Sequence, residues 1–187
     1  MNKAIFLDRD GTINIEKNYL YRIEDFEWLP ESIEALKLLQ NAGYLLVIIT
    51  NQSGIGRGYY TEADYLQLER WIIQSLKEQG VIISAIYHCP HLPDAQIEEY
   101  RKDCTCRKPR LGMFRQAIKD WDIDVDNSYA IGDKIRDCAL CAETNCQGFL
   151  IAKNERSEII EQVKAGKYKG IRYAENLLES AKMIVKL

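Results

Sequence analysis

The chain is short of most features that would take it away from an ordinary folded domain. Proline is scarce, with 4 residues in 187, and there are only 11 glycines. No proline- or glycine-rich linker, collagen-like repeat or low-complexity tract can be built from so few. Long apolar runs are missing. The longest, Tyr44 to Ile49, falls far short of the ~20 residues a membrane-spanning helix needs, so no membrane is expected. An excess of one charge is missing as well: 25 basic against 28 acidic residues leave −3. That balance excludes a nucleic-acid partner held by bulk charge and leaves room only for a local basic site. At the N-terminus, the apolar run before Asp8 is only the four residues Ala4 to Leu7, too few for the core of an export signal. The expected location is the reducing cytoplasm.

What is present is globular usage, 47% hydrophobic and 28% charged. A chain of this length buries ~70% of the surface its unfolded form exposes, so residues 1–187 are expected to form a single domain without staples. A monomer is expected. Apolar strand-like runs alternate with helical patterns. Strands are expected at Ala4 to Leu7, Tyr44 to Ile49, Val81 to Tyr87, Tyr129 to Ile131 and Gly148 to Ala152, with a further one at Ile171 to Tyr173. Helices are expected at Ser32 to Ala42, from Thr61 as cap to Gly80, at Leu111 to Trp121, after Asp133 to about Asn145, at Ser157 to Ala165, and last to about Val185. This alternation predicts an α/β fold: a mainly parallel sheet with helices on both faces. Ligands of such folds bind beyond the carboxyl ends of the strands. Asp8, Thr50 and Asp133 each follow an apolar strand. The gaps between these motifs hold no separate cap domain, so the site is expected to be open.

Four pieces carry phosphate chemistry. In Asp8-Arg9-Asp10-Gly11-Thr12 two carboxylates at a strand end can share a divalent cation. Asp8 can attack phosphorus and Asp10 can protonate the leaving oxygen. Gly11 permits a tight turn whose N–H groups could face an anion. Thr50-Asn51-Gln52-Ser53 offers a hydroxyl and amides for a phosphoryl group. Arg107-Lys108 offers a planar fork and a point charge. Asp133 in Gly132-Asp133-Lys134 is a hard oxygen ligand suited to Mg²⁺, and Asp137 could hold the loop or a metal-bound water. Each of the last three, taken alone, also fits a solvated turn.

Six cysteines stand at positions 89, 104, 106, 138, 141 and 146. In a reducing compartment clustered cysteines bind metal more often than they pair. Cys89, His91, Cys104 and Cys106, within a loop at 88–108 that has no clear period, can close a tetrahedral Zn²⁺ site. Four protein ligands would make that zinc structural. Pinning this loop would fix where Arg107 and Lys108 point. His88 is expected to be a plain loop residue. Cys138, Cys141 and Cys146 are expected to be small packed side chains.

Together, Asp8, Asp10, Thr50, Lys108 and Asp133 resemble the haloacid dehalogenase superfamily of phosphatases. The resemblance implies a Rossmann-like fold and an aspartyl-phosphate on Asp8, with Asp10 as acid and then base. Thr50 and Lys108 would hold the phosphoryl group, and Mg²⁺ would sit on Asp8, the Asp10 backbone carbonyl and Asp133. DRDGT, TNQSGIGRG, the zinc loop, CRKP and GDK further resemble the D-glycero-D-manno-heptose 1,7-bisphosphate 7-phosphatase family, to about residue 150. That implies a small sugar bisphosphate as partner, within nucleotide-activated heptose biosynthesis. It also implies substrate contacts from Glu16, Lys17, Asn18 and Tyr19, from Thr50 to Ser53, and from Lys134, with Arg107 reading the distal phosphate. The related histidinol-phosphate phosphatases share the zinc loop and are the alternative. A non-enzymatic zinc-loop binding module is the alternative of another kind.

Overall fold

The computed structural model describes residues 1–151 and 155–186. Six parallel strands form one sheet: β1 (Ala4–Leu7), β2 (Leu45–Asn51), β3 (Ala85–Cys89), β4 (Tyr129–Gly132), β5 (Gln147–Ile151) and β6 (Ile171–Ala174). Their order is β3-β2-β1-β4-β5-β6. The chain winds outward from β1 in one direction, then returns and winds in the other. The reversal lies between β1 and β4, which is where an open α/β sheet leaves a crevice for ligands.

Among the described residues there are seven α-helices: α1 (Ser32–Asn41), α2 (Ser53–Gly56), α3 (Glu62–Glu78), α4 (Gly112–Asp120), α5 (Leu140–Glu143), α6 (Ser157–Lys164) and α7 (Leu177–Val185). All four β1 side chains are buried, as in a strand covered on both faces. Their alternation sorts them between two cores. Ile5 and Leu7 pack with Leu36, Leu39, Leu68, Ile72 and Leu177. Ala4 and Phe6 pack with Phe114, Ala117, Leu150 and Val163 on the other face. The helix from Thr61 is as expected. Thr61 accepts from the Asp64 amide, Asp64 caps the Thr61 amide, and Tyr65, Leu68, Ile72 and Leu76 are buried.

Two elements differ from expectation. The third strand begins at Ala85, not Val81. Its ladder with β2 opens at Val47↔Ala85 and runs to Asn51↔Cys89, so the strand carries through His88 to the first zinc-loop cysteine. His88 is therefore a strand residue: its Nε2 lies 2.8 Å from Glu62 Oε1 and its ring lies against Tyr65. The segment after Asp133 is not one helix. A 3₁₀ turn, Ile135–Cys138, precedes α5, because the Asp137 side chain folds back to accept from the Lys134 amide (2.9 Å). Ala152, the expected end of the fifth strand, lies outside the described residues. Cys138, Cys141 and Cys146 are buried packing residues, as expected.

Candidate active site

The carboxyl ends of β1, β2 and β4 meet at the reversal of strand order. They deliver Asp8, Thr50 and Asp133 to one place. Lys108 arrives from the end of the zinc loop and is almost fully buried. Its Nζ donates to Asp8 Oδ1 (2.8 Å) and the Ile49 carbonyl (2.6 Å), and pairs with Asp137 Oδ1 at 2.6 Å. Burial alone would lower this ammonium; Asp137 and Asp8 outweigh it and hold Lys108 above its ordinary value. Asn51 fixes the Lys108 backbone from both sides. Its Oδ1 accepts from the Lys108 amide (3.0 Å), and its Nδ2 donates to the Lys108 carbonyl (3.2 Å).

Asp8, Asp133 and Asp137 each bring a carboxylate oxygen within 4.8 Å of the others. The protein groups push the Asp8 carboxyl up to about 8. Burial is the largest cause, then Asp137; Lys108 opposes, and Asp133 adds to the rise. Asp8 and Asp137 share one ammonium, and Asp133 adds a third carboxylate beside them. The donor set, all hard oxygen, fits a divalent cation such as Mg²⁺. Asp137 thus joins Asp8 and Asp133, while the Asp10 carboxylate turns elsewhere. It accepts from Arg9 Nε (3.0 Å) and Nη2 (2.8 Å), from Asn14 Nδ2 (3.0 Å) and from Gln52 Nε2 (3.0 Å). Gln52 Nε2 also donates to Thr50 Oγ1 (2.9 Å). With that acceptor site used, the Thr50 hydroxyl keeps its own proton for a ligand.

Gly11, at φ 81°, makes the expected tight turn, but its amide does not face an anion. It donates to the Asn14 carbonyl (2.8 Å), and the Thr12 and Ile13 amides donate to the Arg9 carbonyl. The turn consumes its own donors.

Two adjoining chambers open at this point. One, about 300 Å³, is lined by Asp8, Asp10, Thr50, Lys108, Asp133 and Lys134. The other, about 280 Å³, is lined by Tyr19, Gln52, Ser53, Arg57, Arg107 and Arg136. Asp10, Glu16, Asn18, Asn51 and Arg136 border both. The second chamber gathers three guanidiniums. Arg107 Nη1 and Arg57 Nε are buried there without a hydrogen-bond partner among the described residues. Burial lowers the Arg107 pKa, and Arg136 and Arg57 reinforce this by repulsion. Such a cluster suits an anion. Arg57 and Arg136 were not singled out in the sequence. Lys17, by contrast, is not brought to either chamber: it ion-pairs with Glu27.

Cys89, His91, Cys104 and Cys106 converge beside the second chamber. Cys106 Sγ lies 3.0 Å from Cys89 Sγ, 3.2 Å from Cys104 Sγ and 3.2 Å from His91 Nδ1; Cys89 and Cys104 are 3.5 Å apart. Zinc bonds of ~2.0–2.3 Å give tetrahedral edges of roughly 3.3–3.8 Å, close to these. Burial and the Cys106 contact push the Cys89 thiol up, a cost that a bound zinc would reverse. Gly112, opening α4, seats this knuckle: a Cβ there would lie 2.5 Å from the Thr105 carbonyl oxygen. Metal analysis should return about one zinc per chain, and its removal by a chelator should lower both Tm and activity. A zinc-free preparation of equal stability would contradict the assignment.

Comparison with known proteins places this geometry. A family profile described as polynucleotide kinase 3 phosphatase matches residues 3–158. The D-glycero-beta-D-manno-heptose-1,7-bisphosphate 7-phosphatase of Haemophilus ducreyi is 54% identical over 143 residues, 76% of this chain and 78% of that one. The chain belongs to the heptose-bisphosphate phosphatase family. A second relative, the D-glycero-alpha-D-manno-heptose-1,7-bisphosphate 7-phosphatase of Photorhabdus laumondii, is 53% identical over 135 residues, 72% of this chain and 74% of its own. Among solved structures, the D,D-heptose 1,7-bisphosphate phosphatase of B. bronchiseptica, complexed with magnesium and phosphate, superposes with a TM-score of 0.82. It is 30% identical and covers 98% of both chains. Family membership makes the chain a phosphatase of haloacid dehalogenase fold, as the strand-end motifs imply.

Proposed function

We propose that the chain removes the 7-phosphate of a D-glycero-D-manno-heptose 1,7-bisphosphate, using Mg²⁺ in the acidic chamber. The observation that carries this reading is the pair of adjoining chambers, one acidic around Lys108 and one basic around three arginines. A substrate with a phosphate at each end suits both. Identity to the beta- and alpha-named relatives is nearly equal, 54% over 143 residues and 53% over 135, so it does not favour either anomer.

The chemistry follows from the residues. A carboxylate oxygen of Asp8 attacks phosphorus, and the bond from phosphorus to the sugar oxygen breaks. Asp10 gives that oxygen its proton. Asp10 then takes a proton from water, whose oxygen attacks phosphorus, releasing inorganic phosphate and restoring Asp8. The Thr50 hydroxyl donates to a phosphoryl oxygen and the Lys108 ammonium faces its charge. Asp8 and Asp133, with Asp137 beside them and the Asp10 carbonyl as a further ligand, would hold Mg²⁺, which would supply charge neutralisation. Arg107, with Arg57 and Arg136, takes the distal phosphate, while Glu16, Asn18, Tyr19, Ser53 and Lys134 border the sugar. Asn51 and Gln52 act by holding Lys108, Thr50 and Asp10. We take the whole chain as one phosphatase domain, with residues 88–108 as its zinc-held loop. It would work as a monomer on a small molecule, with neither nucleic acid nor membrane as partner. None of the described helices is long and apolar enough to cross a membrane. A cytoplasmic location suits a chain whose clustered cysteines would hold metal.

Histidinol phosphate would present an ammonium to Arg57, Arg107 and Arg136, a repulsive match. The test is phosphate release from both heptose bisphosphate anomers and from histidinol phosphate, with and without Mg²⁺. Mg²⁺-dependent release from a bisphosphate is expected; faster turnover of histidinol phosphate, or none of any ester, would overturn the proposal. Arg107→Ala should lower kcat/KM for the bisphosphate on the order of 100-fold, the worth of about two charged hydrogen bonds, with only a ~3-fold loss for a heptose 7-monophosphate. Equal losses on the two would remove its role.

A further inference from the structure

Arg9 stands between the two carboxylates of the first motif, yet the reaction as derived gives it nothing to do. Its guanidinium is almost wholly buried, at 2% exposure. A buried guanidinium is retained against a desolvation cost, and a packed apolar side chain would serve a purely structural need as well. Its contacts are specific. Nε and Nη2 form a fork on the two oxygens of Asp10, and Nη2 also donates to the Leu20 carbonyl (3.0 Å). Leu20 ends the loop that carries Glu16, Asn18 and Tyr19. Behind the fork, the guanidinium lies over the Tyr65 ring, 5.7 Å from its centroid. Asn14 and Gln52 complete the grip on the same carboxylate. Both Asp10 oxygens are thus held from below, and the plane of the carboxyl is set by a group that is itself fixed to α3 and to the substrate loop.

We propose that Arg9 is a positioning residue: its buried fork aims the Asp10 carboxyl at the leaving oxygen and ties that aim to the Leu20 end of the substrate loop. This rests on the assignment of Asp10 as the proton donor. Lysine cannot reproduce it, because an ammonium is a point charge without a planar pair of donors. Proton donation matters in proportion to how poor the leaving group is. A sugar alkoxide needs it, whereas p-nitrophenolate departs with little help. Attack of water on the aspartyl-phosphate also uses Asp10 but is the same step for both substrates, so they differ only in release of the leaving group. A mis-aimed Asp10 therefore changes the ratio of the two release rates, while a loosened fold lowers both together.

The experiment compares Arg9→Lys and Arg9→Gln with the unmodified enzyme, zinc-loaded and with Mg²⁺, on the heptose bisphosphate and on p-nitrophenyl phosphate. The readout is the first turnover with enzyme in excess, which reports leaving-group release alone. The expected result is release of the sugar slowed about 30-fold or more and release of p-nitrophenolate within about 3-fold. Asp10→Asn should shift the ratio of first-turnover rates in the same direction, and adding Arg9→Lys to it should shift that ratio no further. Equal losses on both substrates would overturn the inference. So would failure of both Arg9 variants to unfold cooperatively, since the guanidinium would then be holding up the fold. Absence of activity in the unmodified enzyme on every ester would instead strike the phosphatase reading itself.

Discussion

Asp8→Asn should lower phosphate release on the order of 10⁴-fold or more, because nothing else stands where a nucleophile must. Calorimetric titration should still find substrate bound, since Lys108, Thr50 and the arginine chamber are untouched. The same variant should be more stable than the unmodified protein in Mg²⁺-free buffer at neutral pH. Folding raises the Asp8 carboxyl from 3.8 to about 8, through burial and then through Asp137. Between those values the folded protein keeps a proton that the unfolded chain gives up. The stabilisation this brings is fully present below pH 3.8 and is lost as pH rises through about 8. At pH 7 the protein therefore carries part of the cost of a crowded carboxylate, which the neutral amide removes. A Tm higher by at least a few degrees is expected, roughly 2–4 °C per kcal/mol at this size. A variant with retained turnover would remove Asp8 from its role; one with a lower Tm would show that the Lys108 pair outweighs the crowding.

Lys108→Met should act in the opposite sense on stability and in the same sense on rate. It takes away the ammonium that contacts Asp8, Asp137 and the Ile49 carbonyl at once. Asp8 and Asp137 then lose the ammonium they share, with Asp133 close by. Breaking a buried pair by removing one partner costs about 3–5 kcal/mol, against only a small gain from the apolar replacement. The rate should fall on the order of 10²–10³-fold, as when one fixed donor to a developing anion is lost. Denaturant unfolding and kcat/KM measured on the same preparation check both. Unchanged stability would mean that the Asp8–Lys108–Asp137 contacts contribute nothing net. An unchanged rate would place the phosphoryl group away from Lys108.

Much of this site can be read along the chain because the chemistry sits where strands end. An apolar run that stops at Asp8, Thr50 or Asp133 gives both the element and the position of its functional residue. The capping box at Thr61 and Asp64 was equally plain, since its signal lies within four residues. The zinc ligands were legible from type and spacing, with only two histidines to choose from. Other parts depend on contacts that no local pattern encodes. Val81 to Ser84 is as apolar as a strand, but the β2 ladder opens at Val47↔Ala85 and fixes the start of β3 there. Arg57, Arg107 and Arg136 come from three separate segments, and only the fold makes them one chamber. Arg9 carries no local signal of its contacts. Its fork on Asp10 and Leu20 depends on how the loop returns. Lys17 has the right neighbours in sequence but turns to Glu27.

The decisive measurement is acid quenching during turnover of the heptose bisphosphate in Mg²⁺, followed by mass spectrometry of the digested protein. A phosphoryl group on the peptide that contains Asp8, absent from Asp8→Asn, is the expected result. A phosphoryl group found on another residue, or full turnover with no labelled peptide under conditions that trap acyl phosphates, would contradict it.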